Sequence, residues 1–148
     1  MYKHILVPTD GSRLSAHAIR AACALAQTCG AKITGVYVVP PYLPPIYAEG
    51  MIYVADLGPQ RHKELMAKAA RKALAVVSAE ARRAGVACAT ASPLAAQPWE
   101  GILKTARAKR CDLIVMASHG RRGLAALLLG SETTKVLTHS KIPVLVCR

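Results

Sequence analysis

At 148 residues the chain has the length of a single domain, 1–148, and can bury a core without disulfide or metal staples. Its 53% apolar content lies outside the range of disordered chains, and no apolar run approaches the roughly 18 residues of a membrane span. A formal net charge of +12 admits a nucleic-acid partner, yet the cations are scattered through helical stretches, Phe is absent, and no basic run alternates with stacking residues. A solvated basic surface is therefore expected, without nucleic acid or membrane as partner.

Met1 to His4 runs straight into an apolar segment without the make-up of a secretory leader, so a cytoplasmic protein is expected. Lys3 to Pro8 is a short apolar run closed by proline, which predicts a buried strand, and the polar turn Thr9-Asp10-Gly11-Ser12 follows. Beyond the candidate N-cap Ser12, Leu14, Ala18, Ala21, Ala22 and Leu25 mark a helix face, and Gly30 supplies the stop. Ala31 to Val39 is rich in β-branched residues and ends at Pro40-Pro41, a second strand.

The least regular segment lies between Pro40 and Pro59, where Pro44, Pro45, Gly50 and Gly58 interrupt apolar groups. Two readings stand side by side: a flap packing its own aromatics, or a lid or partner surface. Arg61 to Ala84 reads as a long helix with an apolar stripe at Leu65, Ala69, Ala73, Val76 and Val77, its cations largely off that stripe. Val86 to Ala91 is a third, weakly patterned strand and belongs near a sheet edge. A helix then starts at Pro98, burying Trp99, Ile102, Leu103 and Ala106 before Arg110. Asp112 to Ala117 is the fourth strand, Ser131 to Ser140 the last helix, and Ile142 to Cys147 the fifth strand.

Such regular alternation predicts an α/β fold: an open parallel five-stranded sheet with helices on both faces, a three-layer Rossmann-like arrangement. The five cysteines are scattered, no pair sits at the two-residue spacing of a metal or redox motif, and reduced structural thiols are expected.

Two polar loops follow strands in the manner of a ligand site. In the later one, Val115-Met116-Ala117-Ser118-His119-Gly120-Arg121-Arg122-Gly123 breaks an apolar strand, and Gly130-Ser131 opens a helix. Glycines let backbone N–H groups approach a ligand, and free N–H groups at a helix start favour anions, so the loop reads as a phosphate cradle. The earlier loop adds the carboxylate of Asp10. If the first and fourth strands are neighbours, giving the order 3-2-1-4-5, both loops open on one crevice at the switch point of the sheet. A carboxylate beside phosphates calls for a divalent cation between them, hence Mg2+ held through Asp10 and water; the alternative for Asp10 is a turn or cap residue.

Three stretches, KHILVPTDGS at the start, DLIVMASHGRRGL, and LLLGSETTKVLTHSKIPVLV near the end, resemble the universal stress protein family over essentially the whole length. The resemblance implies adenine-nucleotide-binding members of this fold that dimerise by antiparallel pairing of the last strand, here through Val144, Leu145 and Val146. It also implies ATP binding through glycine, two residues, glycine, nine residues, glycine, then Ser or Thr. Those places are Ala117, Gly120, Gly130 and Ser131, so the first glycine is replaced by alanine. Carried over by position, Pro8, Thr9, Asp10 and Val38 line the adenine and ribose side with Met116 and Ala117. Gly120, Gly130, Ser131 and Glu132 hold the phosphates, Glu132 through its backbone N–H.

The expected function is a dimeric, ATP-binding stress-response regulator, with slow ATP hydrolysis at most, because no base, nucleophile or triad stands out. The alternative is a stress-response interaction module whose pocket is vestigial and which docks a protein partner through the long loop or the basic helix.

Overall fold

Short apolar runs punctuated by proline and glycine give five strands, and the amphipathic stretches between them give four helices among the described residues. The structure is a computed structural model describing residues 1–44, 58–120 and 129–148. In chain order these are β1 (His4–Pro8), α1 (Arg13–Cys29), β2 (Lys32–Val36), α2 (Gly58–Arg83), β3 (Cys88–Ala91), α3 (Pro98–Ala108), β4 (Leu113–Ala117), α4 (Ser131–His139) and β5 (Val144–Cys147). All strand pairs are parallel and the order is β3-β2-β1-β4-β5. Both points agree with the sequence expectation, as does the edge position of the weakly patterned β3.

Alternate residues of the central strands serve opposite layers. Ile5, Val7, Ile33, Leu113 and Val115 pack against Ile19, Ala22, Cys23 and Val77 of α1 and α2. Leu6, Val36, Ile114 and Met116 pack against Ile102, Leu103, Ala106 and Val136 of α3 and α4. Every residue of β1 and β4 is buried, as strands covered on both faces must be. No helix among the described residues is long and apolar enough to cross a membrane.

Two helix faces differ from the sequence reading. On α1 the buried face is Ser15, Ala18, Ile19, Ala22, Cys23 and Ala26, and Leu14 is exposed. On α2 it is Ala70, Ala73, Leu74, Val77 and Ala81, leaving Leu65 and Val76 36% and 41% exposed. The rotation of α2 follows from Gly35 of β2: a Cβ there would lie 2.9 Å from Val77 Cγ1, so the bare glycine backbone draws Val77 onto the sheet. β2 also ends at Val36 rather than Val39, which keeps only an isolated bridge to Leu94. All five cysteines are free; Cys23 and Cys111 are buried, and burial pushes both thiols up to about 11. Cys88, by contrast, is exposed.

Candidate functional site

Because β1 and β4 are neighbours, the chain leaves the middle of the sheet in opposite directions, and the carboxyl ends of these two strands are the switch point at which open parallel sheets have their crevice. The Thr9–Ser12 turn forms one wall. Thr9 is buried, donates its N–H to Val36 O at 2.9 Å, and sets its hydroxyl 3.0 Å from that of Ser15. Asp10 Oδ1 accepts from Ser12 N–H at 2.9 Å, and Ser12 caps α1 by accepting from Ser15 N–H at 3.2 Å. The turn-residue alternative for Asp10 therefore describes one of its two oxygens.

Its other oxygen faces the second loop. A Cβ built on Gly120 would lie 2.6 Å from Asp10 Oδ2, so the early and late turns meet. Backbone bonds lock the late turn: Ser118 N–H donates to Cys147 O at 2.7 Å, and Gly130 N–H donates to Ser118 O at 2.8 Å. A Cβ on Gly130 would lie 3.2 Å from Ser118 O and 3.3 Å from His119 Cα. Neither Gly120 nor Gly130 has a positive φ, so space, not backbone conformation, is what limits a side chain at both.

Ala117 is ordinary extended strand paired with Cys147, so its replacement of a motif glycine brings no backbone strain. Its carbonyl accepts from the buried Thr133 hydroxyl at 3.0 Å, which ties the first turn of α4 to the end of β4. The N-cap of α4 is Gly130, and Ser131 is the first helical residue and exposed. Thr134 N–H closes the first helical bond, on Gly130 O, so the amides of Ser131, Glu132 and Thr133 precede the intrahelical ladder. His119 Nδ1 lies 3.1 Å from Ser118 Oγ, while its buried Nε2 has no hydrogen-bond partner among the described residues.

Pro8 and Met116 are buried at the ends of β1 and β4. Val38 is half-buried, its methyl groups occupying the space beside Gly101 of α3. Glu132 turns its carboxylate to α3, accepting from Trp99 N–H at 2.9 Å. The Arg121-Arg122 pair lies outside the described residues, as does most of the segment expected between Pro40 and Pro59.

At the opposite end of the same strands, sequence reasoning missed two features. Asp112 accepts from the N–H groups of Lys3 and His4 at 2.8 and 2.9 Å, and buried His4 sets Nε2 2.8 Å from Thr34 Oγ1. Burial, reinforced by the Lys32 charge, holds the His4 imidazole below its ordinary pKa. For Asp112 burial acts upward, but the His4, Lys3 and Asp112 backbone amides outweigh it and leave the carboxyl below the usual range.

A groove of about 640 Å3 lies elsewhere, between α2 and the β3 edge, with Val39, Tyr42, Leu74 and Leu94 in its wall beside His62 and Arg71. It is mostly apolar, and among the described residues its lining holds no glycine turn. Among the described residues no cluster of three or more His, Cys, Asp or Glu side chains forms a metal site.

The molecule is thus an open parallel α/β protein whose switch-point crevice is walled by an aspartate turn and a glycine turn. The universal stress protein family model matches residues 1–148. A universal stress protein of Methanocaldococcus jannaschii is 34% identical over 150 residues, covering 100% of this chain and 83% of that protein. A solved family member from Burkholderia pseudomallei superposes with a TM-score of 0.76 at 29% identity, covering 99% of this chain and 96% of the other. Two more solved structures share the fold at lower identity, each covering 99% of this chain and 97% or 98% of its own. One is a universal stress protein in complex with cAMP (TM-score 0.67, 23%), the other that of Archaeoglobus fulgidus in complex with dAMP (0.73, 19%). The chain belongs to the universal stress protein family.

Proposed function

We propose that this protein is a nucleotide-dependent stress-response regulator that binds ATP in the switch-point crevice. The observation carrying this reading is the meeting of Asp10 with Gly120, which joins the aspartate turn to the glycine turn that leads, through the Gly130 N–H bond to Ser118 O, into the start of α4. Phosphates lie against the N–H groups of Ser131, Glu132 and Thr133 and the Ser131 hydroxyl, with Gly120 and Gly130 giving the approach. Pro8, Thr9, Val38, Met116 and Ala117 face the adenosine part. His119 Nε2, without a partner among the described residues, is a group that a ligand oxygen would satisfy.

Asp10 suits Mg2+, which is commonly held by one or two carboxylates together with substrate phosphates. Such an ion would offset the repulsion between carboxylate and triphosphate. The role is one of binding, with no catalytic group assigned.

Dimerisation runs through β5, an edge strand whose Leu145 is 43% exposed, by edge-to-edge pairing of Val144, Leu145 and Val146. Nucleotide identity is read by heating purified protein and separating what is released. Adenine nucleotide in the released fraction, and a melting temperature raised by ATP with Mg2+, are the expected results. No released nucleotide and no ATP-dependent shift would leave the interaction-module reading in its place.

A further inference from the structure

α3 begins with a defect that its own sequence does not repair. Its N-cap, Gln97, makes no side-chain cap bond, and Pro98 has no N–H, so Trp99 carries the first backbone donor of the helix. The acceptor comes from another helix: Glu132 Oε2 receives Trp99 N–H at 2.9 Å. Glu132 Oε1 lies 3.2 Å from Lys135 Nζ, which reaches Gln97 Oε1 at 3.5 Å. One turn further on, the His139 ring lies over Trp99, centroids 4.5 Å apart and planes tilted by 31°. Residues 132, 135 and 139 share one helix face, so α4 lies along the start of α3 by that whole face.

This contact bears on the crevice because α4 is short and buries only Thr133 and Val136. Neighbouring residues of its first turn are pinned in opposite directions, Thr133 to the Ala117 carbonyl of the sheet and Glu132 to α3. The amides of Ser131 to Thr133 point where those two bonds set them. A carboxylate at position 132 aimed into the crevice would repel phosphate, whereas bonded to the start of α3 it meets the positive end of that helix.

Building on the nucleotide reading of the crevice, we propose that the Glu132 side chain is a positioning group: it fixes the aim of the phosphate-facing amides, its own among them, by bolting α4 to α3, and its carboxylate does not meet the ligand. Trp99, the one tryptophan of the chain, reports on the bolt.

The test compares wild type, Glu132→Ala, Glu132→Gln and Glu132→Asp by calorimetric titration with ATP plus Mg2+ and, separately, with adenosine, alongside Trp99 emission of the unliganded proteins. Glu132→Ala is expected to weaken ATP about tenfold, the weight of one hydrogen bond to a charged acceptor, and adenosine by less than about twofold. Glu132→Gln keeps an acceptor oxygen and is expected to stay within about threefold of wild type, with Trp99 emission unchanged. Glu132→Asp, too short to span the gap, should lose ATP selectively, which keeps the test open if the alanine variant fails to fold.

Equal loss of ATP and adenosine, or unchanged ATP affinity, would make the contact purely structural and overturn the proposal. Tighter ATP binding in both the alanine and glutamine variants would overturn it too, by placing the carboxylate against the phosphates. Wild-type protein that binds neither ligand would defeat the nucleotide reading, and this role with it; wild-type binding with unchanged selectivity in the variants defeats this role alone.

Discussion

Asp112 and Asp10 stand at opposite ends of the neighbouring strands β1 and β4. Asp112 takes the amides of Lys3 and His4 and stitches β4 to the start of β1. Asp10 gives one oxygen to the Ser12 amide and turns the other to a residue without a side chain across the crevice. The same side chain thus secures the fold at one end and joins two turns at the other. What separates the two roles is the loop opposite: a strand start with amides to satisfy, or a glycine turn leading to a helix start.

That contrast breaks most visibly at Asp112. Removing its carboxylate in Asp112→Ala leaves two amides without their acceptor and is expected to cost about 2 kcal/mol of stability in urea unfolding. ATP affinity should stay within about twofold, since the crevice is at the far end. A parallel loss of affinity would mean that the two ends are not independent.

Gly120→Ala inverts the pattern. The added Cβ would meet Asp10 Oδ2 and push aside a carboxylate whose other oxygen holds the Ser12 amide, so stability should fall by about 1 kcal/mol, less than at Asp112. The displaced carboxylate should nevertheless weaken ATP with Mg2+ about tenfold in calorimetric titration. Unaltered affinity would remove Asp10 from the site.

The smallest effect is on pH dependence. The His4 pKa is lowered in the fold, first by burial and then by Lys32, below an unfolded value of about 6.5. Neutral His4 therefore contributes stability that is fully present above that unfolded value and is lost as pH falls through the folded one. Asp112, also lowered in the fold, loses its contribution in the same direction, at the more acidic pH of a carboxylate. Replacing His4 by Gln should flatten the upper part of the acid decline, read as urea midpoints against pH; an unchanged slope would mean that His4 titrates alike in both states.

How much was legible in the sequence divides along the same line. Strand order followed from the β-α alternation and from the pairing of two loops, because parallel crossovers leave few arrangements. The Ser12 cap and the Gly30 stop follow from local chemistry and were readable one residue at a time. The faces of α1 and α2 were misjudged because an alanine-rich helix has several nearly equal apolar stripes, and only contacts such as Gly35 with Val77 choose among them. Asp112 on Lys3, His4 on Thr34 and Glu132 on Trp99 span 30 to 109 residues and left no spacing signal.

The central claim, one ligand gripped between two turns, is tested most directly by amide resonances during titration with ATP and Mg2+. The account predicts shifts concentrated at Asp10 to Ser12, Gly120, and Ser131 to Thr133, with Lys3, His4 and Asp112 unmoved. Shifts confined to Tyr42, Leu74 and Leu94 around the α2–β3 groove, or none at all, would contradict it.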